Sequence, residues 1–267
     1  MPATLDVLVA YSIFALIAIA AEYLRPARQK RFFRPGLFTD GVYVVLSIGV
    51  RIVFTNTIAQ EFTRLGSEHL PGWVPVAVLA DQPVWLQTVA VIVVLDFFFY
   101  WMHRAKHSWN WLWRLHETHH SSRELDWFSS VRFNPLEKIL DRTVYLFPLA
   151  FLGAGDQALL ILSIVDAGIA TFSHANIRMR IGPLIYVLVG PEMHRWHHAR
   201  TLDAQRSNFG NNLSIFDWMF GTARLRPGQP ESFGLDDESF PEGNILRQFL
   251  FTFRPRELPS AQTPETS

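Results

Sequence analysis

Long apolar blocks limit this chain to a small set of folds. The first block, residues 4–23, has the length of a helix that crosses the hydrocarbon core of a bilayer. Other apolar blocks cover 37–59 and 73–101, and a pair covers 139–153 and 157–172. Charged residues make up only 18% of the chain, below the roughly 25% of soluble domains. The sequence therefore predicts an all-α, multi-pass integral membrane helical bundle of about four spans, one of them a helical hairpin.

Polar residues interrupt two of these blocks and change the predicted spans. An Asp-Gln-Pro sequence at 81–83 divides the third block, so we expect Val84–Met102 to cross the bilayer and 73–80 to lie shallow. Arg51 lies inside the second block, where its charge needs a partner or must reach the interface. The first block has no basic region ahead of it and is longer than a signal-peptide core, which favours a retained helix.

Basic residues orient the predicted spans. Five of them follow the first block, whereas the loop after the second block contains a single basic residue, Arg64. The five are Arg25, Arg28, Lys30, Arg31 and Arg34. Because short loops rich in Lys and Arg stay in the cytoplasm, this segment is predicted to be cytoplasmic. Counting spans from there brings His103 and the end of the hairpin, near 172–176, to the same face.

Composition excludes several kinds of site. The formal net charge is +0, which gives no reason to expect a nucleic-acid partner. The chain contains no cysteine, so disulfides, thiolate zinc sites and iron–sulfur clusters are excluded. A metal ion bound by this chain must therefore be held by nitrogen or oxygen atoms.

Histidines are concentrated in one part of the chain. Nine of the ten lie between His103 and His198, and the tenth, His69, stands apart with no role proposed. The nine form one His-x-x-x-His box, two His-x-x-His-His boxes and a single residue within Phe-Ser-His-Ala-Asn. They are His103, His107, His116, His119, His120, His174, His194, His197 and His198.

The spacing within each box is that of a metal site. Residues three or four apart share one face of a helix, so each box directs two or three imidazoles to a common point. Imidazole is a suitable ligand for iron, zinc, copper and nickel. Nine such ligands exceed the four that a tetrahedral zinc ion takes, which favours two metal ions with open coordination positions.

Three polar residues near the boxes are candidates for holding the ligands in place. Asp96 lies seven residues before His103 on the same helical face, where it could accept from a ligand imidazole or bond to water or backbone instead. Asp217 is a similar candidate, and Asn176 could shape a turn or supply an oxygen ligand. The aromatic run 97–101 fits either packing at the membrane interface or the wall of an acyl pocket.

Together these motifs resemble the fatty acid hydroxylase/sterol desaturase superfamily of integral-membrane, histidine-rich non-haem di-iron oxidases. Besides the boxes, the resemblance rests on Tyr-Trp-Met-His-Arg at 100–104, Val-Arg-Phe-Asn-Pro-Leu-Glu at 131–137 and Asn-Phe-Gly-Asn at 208–211, and it covers 96–222. It implies a helical membrane fold capped by a cytoplasmic histidine-rich di-metal site. By this resemblance the eight histidines of the boxes and His174 bind two iron ions, with zinc as a substitute.

The resemblance also implies an activity. Such proteins use dioxygen to hydroxylate or desaturate a C–H bond of a lipid, whether a sterol, fatty acyl chain, ether lipid or carotenoid. They take electrons from a separate ferredoxin, cytochrome or reductase. The chain then divides into N-terminal membrane helices with a basic loop (1–83), a catalytic domain (84–226) and a polar tail (227–267). The short N-terminus and the absence of a retrieval signal favour a bacterial inner membrane over the endoplasmic reticulum.

Two other functions stay open at this point. His116-Glu117-Thr118-His119-His120 contains the His-Glu-x-x-His pattern of zinc proteases, in which the glutamate is the general base. An intramembrane zinc metalloprotease would leave most of the other histidines unexplained. A metal transporter or sensor would place polar residues at mid-membrane, whereas these histidines are predicted at the cytoplasmic ends of spans.

Overall fold

A computed structural model describes residues 2–29, 33–53, 77–237 and 239–254. Within these ranges the chain is helical and forms no strand, only three isolated bridge pairs. The helices are α1 (Pro2–Leu24), α2 (Leu37–Val53), α3 (Val84–Lys106), α4 (Asn110–His120), α5 (Pro135–Leu152), α6 (Asp156–His174), α7 (Pro191–His197), α8 (Leu202–Gln205), α9 (Ile215–Met219) and α10 (Ile245–Phe251). Two short 3-10 helices cover Trp127–Val131 and Gly182–Tyr186.

Three of these helices are long and apolar enough to cross a membrane. They are Leu5–Leu24 of α1, Val84–Lys106 (α3) and Asp156–His174 (α6). Most of α1 is exposed, including Leu8, Ile13 and Ile17, as expected when lipid is the solvent. The prediction of an all-helical, multi-pass membrane protein is therefore confirmed.

The exact number of spans stays a prediction. The apolar part of α2, Leu37–Val50, is shorter than a span. Helix α5 is not one of the three helices that could cross a membrane, because its first half contains four charged residues: Glu137, Lys138, Asp141 and Arg142. The predicted shallow segment lies largely outside the described residues, as do Lys30, Arg31, Arg64, His69 and the side chain of Arg51.

The predicted helical hairpin is present as α5 and α6, joined by a turn at 153–155. Gly153 ends α5 with a φ of 63°, in the left-handed region that favours glycine, and an added Cβ would collide with Ala77. The backbone nitrogen of Gly155 donates to Oε1 of Gln87 on α3 at 2.7 Å. Both helices pack against α3, so this turn fixes the hairpin to the central membrane helix.

The ends of α1 and α6 are joined beside the histidines. The two helices pack along each other, and the backbone nitrogen of Ala27 donates to the carbonyl of Asn176 at 2.9 Å. Oε1 of Glu22 accepts from the backbone nitrogens of Asn176 at 2.8 Å and of Trp127 at 2.9 Å. The chain after α1, the chain after α6 and the first 3-10 helix therefore meet at one place, next to His174.

The cap at this end of the bundle consists of α4, α7, α8, α9 and their loops. Its interior is polar, with buried histidine, aspartate, glutamate and arginine side chains. The membrane helices show the opposite arrangement, with apolar side chains outward. A buried polar interior must be satisfied internally, and hydrogen bonds to side chains and backbone satisfy many of these groups.

Candidate metal centre

Four helices end at the centre of the cap, and each contributes imidazoles from its last turns or its C-cap. They supply His103 and His107 from α3, His116, His119 and His120 from α4, His174 from α6, and His194, His197 and His198 from α7. All nine are buried. The structure thus brings together every histidine of the three boxes and the single one.

The nine histidines form two adjacent groups. One group consists of His103, His107, His116, His120 and His197, and the other of His119, His174, His194 and His198. In each group, one ring nitrogen per histidine lies within 4.8 Å of all the others. The rings of His120 and His198 stack across the boundary with centroids 4.4 Å apart. Each group has enough imidazoles to hold a metal ion.

Hydrogen bonds determine which ring nitrogens face inward. Nδ1 of His103 lies 2.8 Å from the carbonyl oxygen of Phe209, and Nδ1 of His116 lies 2.6 Å from Oε1 of Glu137. Backbone carbonyls are likewise contacted by Nδ1 of His119, His174 and His197. Carbonyl and carboxylate oxygens accept, so Nδ1 donates in each case and Nε2 keeps its lone pair.

These lone pairs lie close together. Nε2 of His103 and Nε2 of His116 are 3.0 Å apart, and Nε2 of His174 and Nε2 of His119 are 3.4 Å apart. Two lone pairs at that distance repel each other unless a cation lies between them. Two metal–nitrogen bonds of about 2.1 Å, meeting at right or tetrahedral angles, separate their nitrogens by about 3.0–3.4 Å. The residues present therefore fit a transition-metal ion in each group.

Further ring nitrogens have no hydrogen-bond partner among the described residues. They are Nε2 of His107, both ring nitrogens of His120, Nδ1 of His194 and Nε2 of His197. A buried polar atom left in this state costs about 1–3 kcal/mol. Metal ligation would satisfy these atoms, which is a second reason to regard both groups as metal sites.

Burial also keeps the imidazoles in the form that binds metals. It lowers the pKa of His107, His116, His119, His120, His194 and His198 well below 6.5, and that of His197 to about 4. Neighbouring histidines lower most of these pKa values further by charge repulsion. The seven are therefore neutral at pH 7, and neutral imidazole is the ligand form.

Glu137 contacts a candidate metal ligand, a role that sequence reasoning did not assign to it although it ends the 131–137 motif. Its Oε1 accepts from Nδ1 of His116 at 2.6 Å and from Nζ of Lys106 at 2.8 Å. Lys106 also forms an ion pair with Asp141 at 2.6 Å. A carboxylate on the outer nitrogen of a ligand imidazole fixes the ring and makes it a stronger ligand. The signal in the sequence was the group of charged residues at the start of α5, a helix that is otherwise largely apolar.

His119 is positioned by Phe133 and Arg132. Its ring stacks on that of Phe133 with centroids 4.2 Å apart and an angle of 11°, and its Nδ1 donates to the carbonyl of Arg132 at 3.2 Å. Arg132 pairs with Asp40 of α2 at 2.6 Å, and Asp40 pairs with Arg34 at 2.6 Å. Arg34, one of the five basic residues used to orient the chain, is thus buried in ion pairs.

Asp96 and Asp217 both hold the loop at 208–214 and do not contact an imidazole directly. The carboxylate of Asp96 accepts from the backbone nitrogens of Asn212 and Leu213 at 2.9 and 2.5 Å. Asp217 accepts from the backbone nitrogens of Phe209 and Gly210 at 2.7 and 2.8 Å. The loop in turn offers its Phe209 carbonyl to His103. Of the two roles predicted for Asp96, these contacts match bonding to the backbone.

Asn176 shapes the chain after α6. Its Oδ1 accepts from the backbone nitrogen of Arg28 at 3.1 Å and from Nη2 of Arg195 at 3.2 Å, and its Nδ2 donates to the carbonyl of Arg28 at 2.7 Å. Of the two roles predicted for Asn176, these contacts match the turn-shaping one. Arg195, buried within the third box, donates to backbone carbonyls at 125 and 175 as well.

The fold and this site define a class of protein: a multi-pass helical membrane protein whose helices end at a buried cage of nine histidines. Residues 88–222, about half of the chain, match the family model for fatty acid hydroxylases. The chain belongs to this fatty acid hydroxylase family, which confirms the superfamily indicated by the histidine boxes.

Three relatives show the range of the family. The chain is 33% identical to ornithine lipid hydroxylase of Rhizobium tropici over 197 residues, which are 73% of this chain and 57% of that protein. It is 33% identical to alkylglycerol monooxygenase of Homo sapiens over 135 residues, 48% of this chain and 28% of that protein. It is 30% identical to Delta(7)-sterol-C5(6)-desaturase of Nicotiana tabacum over 161 residues, 57% of this chain and 56% of that protein. The chain thus spans less than two thirds of each relative, and no solved structure matches it significantly.

Proposed function

We propose that this protein is a membrane-bound di-iron oxidase that uses dioxygen to hydroxylate or desaturate a C–H bond of a lipid. The observation that carries the proposal is the pair of buried histidine groups with inward-facing lone pairs, within a fatty acid hydroxylase domain. The relatives support the substrate class, since their names include an ornithine lipid, an alkylglycerol and a sterol. Fatty acyl chains and carotenoids stay candidates.

The proposal assigns one iron ion to each histidine group, with zinc as a substitute. Iron, when bound, would supply the activation of dioxygen. The residues of the chain orient five of the imidazoles, through Glu137 at His116 and backbone carbonyls at His103, His119, His174 and His197. All nine rings are buried, which limits the contact of bulk water with the centre.

For the membrane, the division into domains and the electron donor, we propose what the sequence predicts. The centre would face the cytoplasm of a bacterial inner membrane, with 84–226 as the catalytic domain between the N-terminal helices (1–83) and the C-terminal tail (227–267). Electrons would come from a separate ferredoxin, cytochrome or reductase. The zinc-protease alternative is not retained, because His116 and His120 share their group with three further histidines and the second group would have no role.

Lipid analysis of cells tests this function. Cells that express the intact protein are compared with cells that express the His119→Ala/His120→Ala double variant and with cells that express His69→Ala, a histidine outside the boxes. We expect an oxygenated or unsaturated lipid in the first and third cultures only. Identical lipids in all three, with the intact protein carrying two metal ions per chain, would contradict the proposal.

A further inference from the structure

A cavity of about 320 Å³ opens at the surface beside the five-histidine group. It is lined by Arg104, His107, Ser108, Arg206, Phe209 and Thr222. His107 belongs to the five-histidine group, and its buried Nε2 has no hydrogen-bond partner among the described residues. The cavity therefore leads from the surface to the candidate metal centre.

Two arginines give this cavity a positive wall. Arg206 is exposed, and Arg104 is half-buried against two neutral groups, the hydroxyl of Tyr100 at 3.3 Å and the ring of Trp101 at 5.4 Å. Among the described residues no acid forms an ion pair with either arginine. Asp217 is near Arg104, but its oxygens already accept hydrogen bonds from the loop at 208–214 and from Thr222.

Guanidinium groups without an ion-pair partner among the described residues favour an anionic ligand. Each presents a planar set of donors that matches the oxygens of a phosphate or a carboxylate. Among the residues that the structure describes, no carboxylate lines the cavity to compete for them. The chemistry of the wall therefore selects a ligand with an anionic group.

The cavity also adjoins a partly exposed aromatic strip, which we define as Phe97, Trp101 and Phe220. Arg104 lies in the last turn of the membrane helix α3, one turn beyond Trp101. Trp101 contacts Phe220 with ring centroids 5.0 Å apart, and Phe97 contacts Phe220 at 6.4 Å. Trp101 and Phe97 are 42% and 39% exposed. A positive cavity thus stands at the end of an apolar surface that continues along α3 into the membrane-spanning segment.

We propose that the cavity binds the anionic headgroup of a lipid whose chain lies along the aromatic strip. A free anion would use the arginines but not the strip, whereas an amphipathic lipid would use both. This inference rests on the proposed function and narrows its substrate class to lipids whose headgroup carries a net negative charge, as opposed to zwitterionic lipids and to neutral sterols or carotenoids. The arginines act as binding residues for that group.

Lipid binding to the purified, metal-loaded full chain tests the inference. Native mass spectrometry compares phosphatidylglycerol with phosphatidylcholine of identical acyl chains. We expect the anionic lipid to bind more tightly, and Arg206→Gln to weaken its binding about tenfold, as the loss of a charge-assisted hydrogen bond predicts. Arg206→Lys should retain part of the preference. Arg180→Gln, which alters an exposed arginine that does not line the cavity, should retain all of it.

Several results would overturn the inference. One is the absence of a headgroup preference, and another is an equal loss in Arg180→Gln and Arg206→Gln. Full displacement of the lipid by inorganic phosphate alone would identify a free-anion site. A raised KM for the electron donor in Arg206→Gln, with lipid binding unchanged, would identify a docking surface for a protein. Failure of the proposed function would look different: no lipid product, with the headgroup preference intact.

Discussion

Nδ1 of His116 and Oε1 of Glu137 lie 2.6 Å apart inside the cap, and the same carboxylate oxygen accepts from Lys106. This pair joins a candidate metal ligand on α4 to the start of α5. A carboxylate in that position fixes the ring of its histidine and increases its affinity for a metal ion.

Replacing Glu137 should therefore weaken metal binding. We expect Glu137→Gln to lower the affinity of the five-histidine group by about 10–100-fold, because an amide accepts from Nδ1 less strongly than a carboxylate. Competition with a chelator measures the change. The matched control is Glu242→Gln, which alters an exposed glutamate paired with Arg123. Equal affinities in the two variants would show that Glu137 does not tune the ligand.

Single ligand substitutions should remove the two metal ions separately. His107 belongs to the five-histidine group and His194 to the four-histidine group. We expect His107→Ala and His194→Ala each to lose one ion per chain and the double variant to lose both, since each ion has its own ligands. Metal analysis of the purified proteins measures this, with His69→Ala as control. A variant that loses both ions through one substitution would show that the groups are not independent.

Acid should destabilise the cap. Burial lowers the pKa of His197 from 6.5 to about 4. Between these values an unfolded chain binds a proton that the folded chain does not, so the free energy of unfolding decreases as the pH falls through this window and is level above it. The other buried histidines of α4 and α7 act in the same direction.

Thermal unfolding of the metal-free protein in detergent, measured at a series of pH values across that window, checks this expectation. His197→Gln should show a shallower dependence on pH, because one of the titrating groups has been removed. A midpoint temperature that does not change between neutral and acidic pH would refute it.

The stability of the loop at 208–214 should depend on Asp217. Asp217→Asn puts an amide group where two backbone nitrogens and the hydroxyl of Thr222 donate. We expect a loss of about 1–3 kcal/mol in the free energy of unfolding, as for other buried hydrogen bonds left unmade. Chemical unfolding measures it. Asp203→Asn, on an exposed aspartate, is the control, and a similar stability of the two variants would exclude the anchoring role.

Local features of the chain were predictable in detail. The hairpin turn follows from glycines between two apolar blocks, and Gly153 ends α5 in the left-handed conformation that this position needs. For Asp96 the sequence left an imidazole and the backbone open as partners, and its carboxylate bonds to Asn212 and Leu213, far along the chain. Spacing along one helix cannot reveal a partner that a distant loop supplies.

The amino-acid sequence by itself determined the long apolar helices and the presence of nine clustered imidazoles, because each depends on residues within one turn or one helix. Only the tertiary structure decided how those imidazoles are divided between the two histidine groups. His119 and His120 are adjacent on α4, yet His119 joins His174 and the four-histidine group while His120 joins the five-histidine group. Successive residues of a helix point about 100° apart, so the helices packed on either side of α4 determine which group each ring enters.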